Sequence, residues 1–169
     1  EAQFSCMDIC RVSGAVFGAA AADAVGASFE GMMPDDSRMP EMAGGGQFSL
    51  AEGEVTDDTL MMLALLETYA EAGCFSRELF FSRMIQTICV RGKTFGNTTR
   101  TLAALVEQGC FPEAAASVVH RLFGSRTNGS VMRTLPIGLT APSKAAAQAE
   151  ARRVSSFTHA DSEAADACA

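Results

Sequence analysis

Apolar residues recur with a helical period along most of the 169-residue chain, and short polar or glycine-rich segments separate the apolar runs. The strongest run follows Thr56, where leucine and methionine fill most positions from 60 to 66 and Gly73 ends the pattern. No run of alternating β-branched residues is long enough to indicate a strand. The pattern therefore predicts an all-α protein, a compact orthogonal bundle of several helices in a single domain over residues 1–169.

The breaks between the apolar runs give the helix boundaries. Ser76, Pro112, Ser143 and Asp161 are residue types that favour helix starts. A long loop rich in methionine, proline and glycine is expected at 31–55. The sequence predicts helices over residues 8–27, 57–72, 76–91, 98–108, 112–123 and 130–139. A further helix begins at Pro142 or Ser143 and runs to Ser156, and a last segment is capped by Asp161.

Composition and charge argue against three classes of protein: nucleic-acid-binding proteins, disulfide-rich proteins and membrane-spanning proteins. The net charge is −7 and no cluster of lysines and arginines is present, which argues against a nucleic-acid partner. The six cysteines form no Cys-x-x-Cys pair, so we expect reduced thiols and a cytoplasmic protein. The run from Gly14 to Phe29 is rich in alanine and glycine, but Asp23 interrupts it. A close-packed internal helix is therefore expected there rather than a membrane span.

Thr56, Asp57 and Asp58 form a polar cluster at the start of the strongest apolar helix. Helix capping alone is the ordinary interpretation, because threonine is a good N-cap and the helix dipole favours carboxylates in the first turn. However, two adjacent carboxylates repel each other and are costly to desolvate unless a positive charge lies between them. Mg²⁺ would supply that charge, since it binds carboxylate, hydroxyl and water oxygens. Both interpretations stay open on these residues alone.

Three further polar groups interrupt the helices. Asp23 lies inside an apolar helix and needs a hydrogen-bonding partner, whereas Glu30 falls just past the end of that helix. The segment 128–133, with the sequence Asn-Gly-Ser-Val-Met-Arg, is a glycine loop that opens a helix, and such loops can present backbone N–H groups to phosphate. A plain turn is the commoner role for such a loop. A single histidine near a helix start, such as His159, is more often structural than functional.

The order and spacing of these groups resemble the ADP-ribosylglycohydrolase family over residues 11–169. The resemblance rests on five pieces in the family's order, each of which is common by chance alone. They are Arg11-x-x-Gly14-x-x-x-Gly18 leading to Asp23-Ala24-Val25-Gly26 and Glu30; Gly53-x-x-Thr56-Asp57-Asp58-Thr59; Gly96-Asn97-Thr98-Thr99; Asn128-Gly129-Ser130-Val131-Met132-Arg133 with Pro136; and Thr158-His159.

The resemblance implies a helical fold with two Mg²⁺ ions in a cleft, with Mn²⁺ as the alternative metal. It implies Thr56, Asp57 and Asp58 as metal ligands, and Glu30 as a glutamate near the metals and the scissile bond. The implied substrate-binding residues are Asn128, Gly129 and Ser130, which would hold phosphates, and His159, which would lie beside the ribose. Met132 and Arg133 would support the phosphate loop, and Asp23 would be structural or would contact the ligands.

The implied reaction is hydrolysis of the glycosidic bond between ADP-ribose and a protein side chain or small acceptor. Such cleavage develops oxocarbenium character at the ribose carbon. Glu30 or Asp58 would act as the general base. The expected partners are ADP-ribose or an ADP-ribosylated protein, with neither nucleic acid nor a membrane.

One absence and one small change separate the chain from the family pattern. The family carries a second acidic metal motif near the C-terminus, of the form Asp-x-Asp-Thr after a glycine pair, and this sequence has none; the family's glycine before the aspartate at Asp23 is Ala22 here. The chain therefore resembles the N-terminal portion of a longer fold. Three alternatives stay open: a non-catalytic relative, an ADP-ribose-binding module, or one fragment of a split enzyme whose second chain supplies the C-terminal half.

Overall fold

The computed structural model describes residues 6–33, 37, 39–124 and 126–169, and its regular elements are helices. No strand occurs among these residues, so the prediction of an all-α fold is confirmed. The chain divides into two units, Glu1–Thr59 and Leu60–Ala169. The α-helices are α1 (Cys6–Gly26), α2 (Asp57–Ala72), α3 (Arg77–Arg91), α4 (Asn97–Glu107), α5 (Pro112–Phe123), α6 (Leu135–Thr140), α7 (Lys144–Ser156) and α8 (Ser162–Cys168), with short 3₁₀ turns at Ala27–Phe29, Gly92–Thr94 and Asn128–Ser130.

Capping residues placed several of these boundaries correctly. The Ser76 hydroxyl accepts a hydrogen bond from the backbone N–H of Leu79 at 3.3 Å, as expected for an N-cap. Asp161 caps α8 in the same way. The helix expected at 130–139 begins later, at Leu135. A 3₁₀ turn occupies Asn128–Ser130, and Pro136 lies in the first turn of α6, where its missing N–H costs nothing.

Helix α1 in the first unit is largely uncovered. The segment Asp8–Phe29, which comprises most of α1 and the 3₁₀ turn after it, is long and apolar enough to cross a membrane by length and composition alone. One such segment near the N-terminus is weak evidence for a membrane span. Ala24 is buried near the end of α1 and Ala27 is buried in the 3₁₀ turn that follows, whereas Phe17 is 75% exposed. The expectation of a close-packed internal helix is therefore wrong for this structure. Alanine and glycine side chains offer little apolar area to bury, so they do not by themselves draw a helix inside.

The loop that follows α1 folds back on itself around its glycine triplet. Gly45 and Leu50 exchange two backbone hydrogen bonds, of 2.7 and 2.9 Å. Gly44 has a φ of +65°, and a Cβ there would lie 2.6 Å from the Leu50 carbonyl oxygen. Only glycine fits such a position. The predicted loop at 31–55 is confirmed for its described part, while residues 34–36 and 38 lie outside it.

The second unit contains a well-packed apolar core. Helices α2 and α3 are joined at the surface by Arg83, which pairs with Glu67 and Glu71. The buried core residues include Met61, Leu65, Phe80, Met84, Leu102, Val119, Ile137 and Val154.

Candidate functional site

The predicted site residues lie in two clusters, one in each unit. In the first unit, Thr56 is 3% exposed and its hydroxyl accepts a hydrogen bond from the backbone N–H of Asp58 at 3.3 Å. Thr56 is therefore the N-cap of α2, as predicted, and Asp57 and Asp58 lie in the first turn. The same hydroxyl donates to Oδ1 of Asp23 at 2.7 Å. The Thr56 hydroxyl therefore caps α2 and at the same time donates a hydrogen bond to Asp23.

Burial and neighbouring carboxylates raise the pKa of two acidic side chains at this helix start. Burial, followed by the charge of Asp23, raises the pKa of Asp58. Burial, followed by the charges of Asp58 and Asp23, raises the pKa of Glu30. Both shifts have the same physical causes, because burial and a neighbouring negative charge each disfavour the ionised carboxylate. Among the described residues, no lysine or arginine forms an ion pair with Asp23, Glu30 or Asp58.

The donor chemistry here fits a hard divalent cation in part. A threonine hydroxyl and adjacent carboxylates are oxygen donors, the type that Mg²⁺ prefers, and Mg²⁺ is commonly held by one or two carboxylates with water completing the shell. Within the described ranges no three aspartate, glutamate, histidine or cysteine side chains are grouped closely enough to hold a metal. Thr56, Asp57 and Asp58 could therefore supply one side of a site and leave other positions to water or to further ligands.

The second unit holds the glycine loop as a single 3₁₀ turn at Asn128–Ser130. The Asn128 carbonyl accepts the N–H groups of Val131 and Met132 at 2.8 and 3.1 Å, which fixes the turn. A helix start leaves its first backbone N–H groups without partners inside the helix, and this applies to the N–H groups that open the turn. Such N–H groups at a turn are suited to an anionic ligand.

Arg133 lies beneath this turn and is 2% exposed. Its guanidinium donates to the carbonyl of Gly129 at 3.1 Å and to the hydroxyl of Thr158 at 2.5 Å, and it lies 5.1 Å from the centre of the Phe80 ring. Burial lowers its pKa to about 10, so Arg133 stays charged at neutral pH. No carboxylate among the described residues pairs with it. A buried positive charge under the turn adds to the attraction for an anion.

His159 is buried behind the same turn rather than open to solvent, being 2% exposed. Its Nδ1 lies 2.9 Å from the Thr158 hydroxyl and its Nε2 lies 2.9 Å from the Thr127 hydroxyl. The ring also packs on Gly129, where an added Cβ would meet its atoms at 3.2 Å. His159 therefore holds the turn from behind, and its expected place beside the ribose stays a prediction.

The burial of His159 predicts a pH-dependent stability. Burial, followed by the positive charge of Arg133, lowers the pKa of His159 from 6.5 to about 4. As pH falls below 6.5, the unfolded chain takes up a proton that the folded chain refuses, so stability is present above pH 6.5 and is lost toward pH 4. The expected loss is about 3 kcal/mol over this interval.

Denaturant unfolding of the wild type and His159→Gln at several pH values measures this effect. The glutamine variant, which cannot titrate, controls for the carboxylates that titrate in the same range. The wild type should lose more unfolding free energy than the variant between pH 6.5 and 4. Parallel pH curves for the two proteins would contradict the buried, neutral histidine.

The structure thus brings the predicted residues together as two groups. Asp23, Glu30, Thr56 and Asp58 gather in the first unit. Asn128, Gly129, Ser130, Arg133 and His159 gather in the second. Thr127, which binds His159, was missed by the sequence analysis. No local signal could have found it, because its partner lies 32 residues away.

The sequence and the fold match known proteins. An ADP-ribosylglycohydrolase family model matches residues 8–169. The ADP-ribosylarginine hydrolase Tri1 of Pseudomonas putida (strain GB-1) is 33% identical over 166 residues, which cover 94% of this chain and 44% of that protein. The ADP-ribosyl-(dinitrogen reductase) glycohydrolase of Rhodospirillum rubrum is 30% identical over 135 residues, which cover 76% of this chain and 44% of that protein.

A solved structure described as an ADP-ribosylglycohydrolase-related protein complex superimposes with a TM-score of 0.75 and 30% identity. The match covers 94% of this chain and 52% of that one. The chain therefore spans about half the length of the relatives that it matches. The match to the family model extends over nearly all of its residues. The chain belongs to the ADP-ribosylglycohydrolase family.

Proposed function

We propose that this chain is part of a Mg²⁺-dependent hydrolase that removes ADP-ribose from a modified protein side chain. The observation that carries the proposal is the family match over residues 8–169, together with the capped pair of carboxylates at the start of α2. Family membership supports hydrolysis of ADP-ribose from proteins. The metal requirement is our inference from the oxygen donors of Thr56, Asp57 and Asp58.

The first unit would supply the groups for bond cleavage. A bound divalent ion there would polarise ribose hydroxyls and offset negative charge. Glu30 is exposed just past the 3₁₀ turn that follows α1, and its raised pKa makes it a stronger base toward water than an ordinary glutamate. Glycosidic cleavage needs such a base because water must lose a proton as it adds to the oxocarbenium-like ribose carbon.

The second unit would supply the groups that bind phosphate. The backbone N–H groups that open the turn would donate to phosphate oxygens, and the buried charge of Arg133 would favour the anion. Asn128 is exposed at the start of the turn and can reach a ligand with its amide. His159 and Thr127 would keep the turn in this shape. The five cysteines whose side chains are described are free, which fits our proposal of a cytoplasmic protein.

Two relatives point to possible substrates. One is named an ADP-ribosylarginine hydrolase and the other acts, by its name, on ADP-ribosylated dinitrogen reductase. We propose ADP-ribosylarginine as the substrate class for the protein to which this chain belongs. Because the chain spans about half of each relative, a second polypeptide or a C-terminal continuation would supply the remaining metal ligands.

Mass spectrometry of an arginine-ADP-ribosylated peptide tests the proposal. The peptide is incubated with this chain, alone and mixed with the C-terminal portion of the Pseudomonas putida relative, in Mg²⁺ or EDTA. We expect unmodified arginine and free ADP-ribose in Mg²⁺ only, with the higher yield in the mixture. Three results would contradict a metal-dependent glycohydrolase. They are loss of AMP, which means that the pyrophosphate is cut instead of the glycosidic bond; an intact modification in every mixture; and equal release of ADP-ribose in Mg²⁺ and in EDTA.

A non-catalytic ADP-ribose-binding module is the second candidate. It is favoured by one observation: the described residues contain no group of three acidic, histidine or cysteine side chains that could hold a metal. Such a module would bind ADP-ribose through the turn at Asn128–Ser130 without a metal. Calorimetry with ADP-ribose in EDTA, taken together with the release assay above, separates the two candidates. Tight binding of ADP-ribose in EDTA, combined with no release of ADP-ribose from the peptide in Mg²⁺, would favour the module.

A further inference from the structure

The side chain of Asp23 binds the start of α2 and not its own helix. It lies in the second half of α1, and its carboxylate accepts four hydrogen bonds from two threonines that are more than 30 residues away in sequence. Oδ2 accepts the backbone N–H groups of Thr56 at 2.9 Å and Thr59 at 3.2 Å, together with the Thr59 hydroxyl at 2.5 Å. Oδ1 accepts the Thr56 hydroxyl at 2.7 Å.

The backbone bonds satisfy donors that a helix start leaves without partners. Thr56, the N-cap, takes the N–H of Asp58, and Asp23 takes the N–H of Thr59. Asp23 therefore shares the capping of α2 from outside that helix. This arrangement explains a charged residue in an apolar helix, but it does not require the bond between Oδ1 and the Thr56 hydroxyl.

The Thr56 hydroxyl has one proton and two lone pairs. The proton is directed to Oδ1 of Asp23, and one lone pair accepts the N–H of Asp58 through a long bond of 3.3 Å. The second lone pair has no donor among the described residues. Because the proton is already held by a carboxylate, the oxygen carries more negative charge and cannot turn its proton toward a cation.

We propose that Asp23 is the positioning residue that makes Thr56 Oγ1 a cation ligand, by taking the hydroxyl proton and fixing the oxygen beside Asp57 and Asp58. The inference rests on the proposed metal site at the start of α2. A residue that hydrogen-bonds to a metal ligand orients that ligand and raises its basicity. Loss of such a partner typically weakens metal binding by about 10- to 100-fold.

Titration with Mn²⁺, followed by the electron paramagnetic resonance signal of the free ion, tests the inference without an activity assay. Asp23→Asn should raise the dissociation constant by about 10- to 100-fold, because an amide offers one acceptor atom instead of two and places its NH₂ against the threonine donors. Thr59→Val removes a hydroxyl that also contacts Asp23 but leaves Thr56 Oγ1 in place, and it should change the constant by at most about threefold. Circular dichroism checks that each variant is folded.

A double-mutant cycle separates positioning from a general structural role. If Asp23 acts through the Thr56 hydroxyl, Asp23→Asn should have no further effect on Mn²⁺ affinity in a Thr56→Val background. Thr56→Ser, which keeps the hydroxyl, should restore most of the affinity lost in Thr56→Val. Additive losses in the cycle would overturn the inference, because they would mean that Asp23 supports the site by another route.

The possible outcomes distinguish this inference from the proposed function. If the wild type binds Mn²⁺ and Asp23→Asn binds it equally well, the role of Asp23 is wrong and the metal site stands. If neither the wild-type chain alone nor its mixture with the C-terminal portion of the Pseudomonas putida relative binds Mn²⁺ at millimolar concentration, the metal site itself is wrong and the inference falls with it. Should Asp23→Asn fail to fold, Asp23→Glu keeps the charge, moves the carboxylate by one methylene and should still weaken binding by about tenfold.

Discussion

Replacing Asp58 with asparagine should lower the rate of ADP-ribose release in Mg²⁺ by at least about 100-fold while leaving the fold intact. Loss of a partner behind a metal ligand already costs about 10- to 100-fold, and Asp58 would be a ligand itself. The rate is measured by the appearance of free ADP-ribose from an arginine-ADP-ribosylated protein. The protein is the same mixture of this chain and the C-terminal portion of a relative.

The Asp58→Asn variant should be about as stable as the wild type in the absence of metal. Burial and the charge of Asp23 raise the pKa of Asp58, so the ionised carboxylate is held at a cost in the metal-free protein. A neutral amide removes that repulsion but also gives up a favourable interaction with the helix dipole. We therefore expect an unfolding free energy within about 1 kcal/mol of the wild type without metal.

Glu67→Gln is the matched control for Asp58→Asn. It makes the same chemical change on the same helix, at an exposed carboxylate that pairs with Arg83. Both activity and stability should change little, since exposed ion pairs contribute little. Full activity in Asp58→Asn, or an equal loss in Glu67→Gln, would contradict the role assigned to the start of α2.

Replacing Arg133 with alanine should cause the largest loss of stability, about 3 to 5 kcal/mol. The change empties the volume of a fully buried side chain beside Phe80. It also leaves the Gly129 carbonyl and the Thr158 hydroxyl without the guanidinium that donates to them. Denaturant unfolding at pH 7 measures the loss.

Arg133→Met separates the packing of this residue from its charge. Methionine refills most of the volume, and removal of a buried charge that lacks a carboxylate partner recovers part of the desolvation cost, so the expected loss is about 1 to 2 kcal/mol. Both variants should weaken ADP-ribose binding, since neither holds the Gly129 carbonyl. Arg152→Ala, which removes an exposed arginine paired with Asp166, should be nearly neutral. Both variants remove the charge, so equal losses for the alanine and methionine variants would contradict the contribution assigned to the packing of the side chain.

Local chemistry in the sequence predicted most of the helices. The bounds 57–72 and 112–123 coincide with α2 and α5, because a capping threonine and a proline mark their starts and glycines lie just past their ends. The sequence also identified Asp23 as a residue that needs a partner. The partner itself was not predictable, since the hydrogen bonds to Thr56 and Thr59 join positions 33 and 36 residues apart.

Burial was the property that sequence patterns predicted least well. Alanine and glycine spacing in α1 suggested an internal helix, yet most of that helix is uncovered. The sequence also did not predict that His159 is buried among two threonine hydroxyls and Gly129. Both outcomes depend on which distant residues pack against an element, and a one-dimensional pattern does not contain that information.

The central claim is that Thr56, Asp57 and Asp58 bind a divalent cation at the start of α2. Paramagnetic line broadening by Mn²⁺ in the amide NMR spectrum of this chain locates such an ion directly. We predict that the amide signals of Asp57, Asp58 and Glu30 lose intensity at the lowest Mn²⁺ concentrations, before those of Glu67 and Glu71, and that excess Mg²⁺ restores them. Broadening that begins at the surface glutamates of α2, or that Mg²⁺ does not reverse, would contradict the claim.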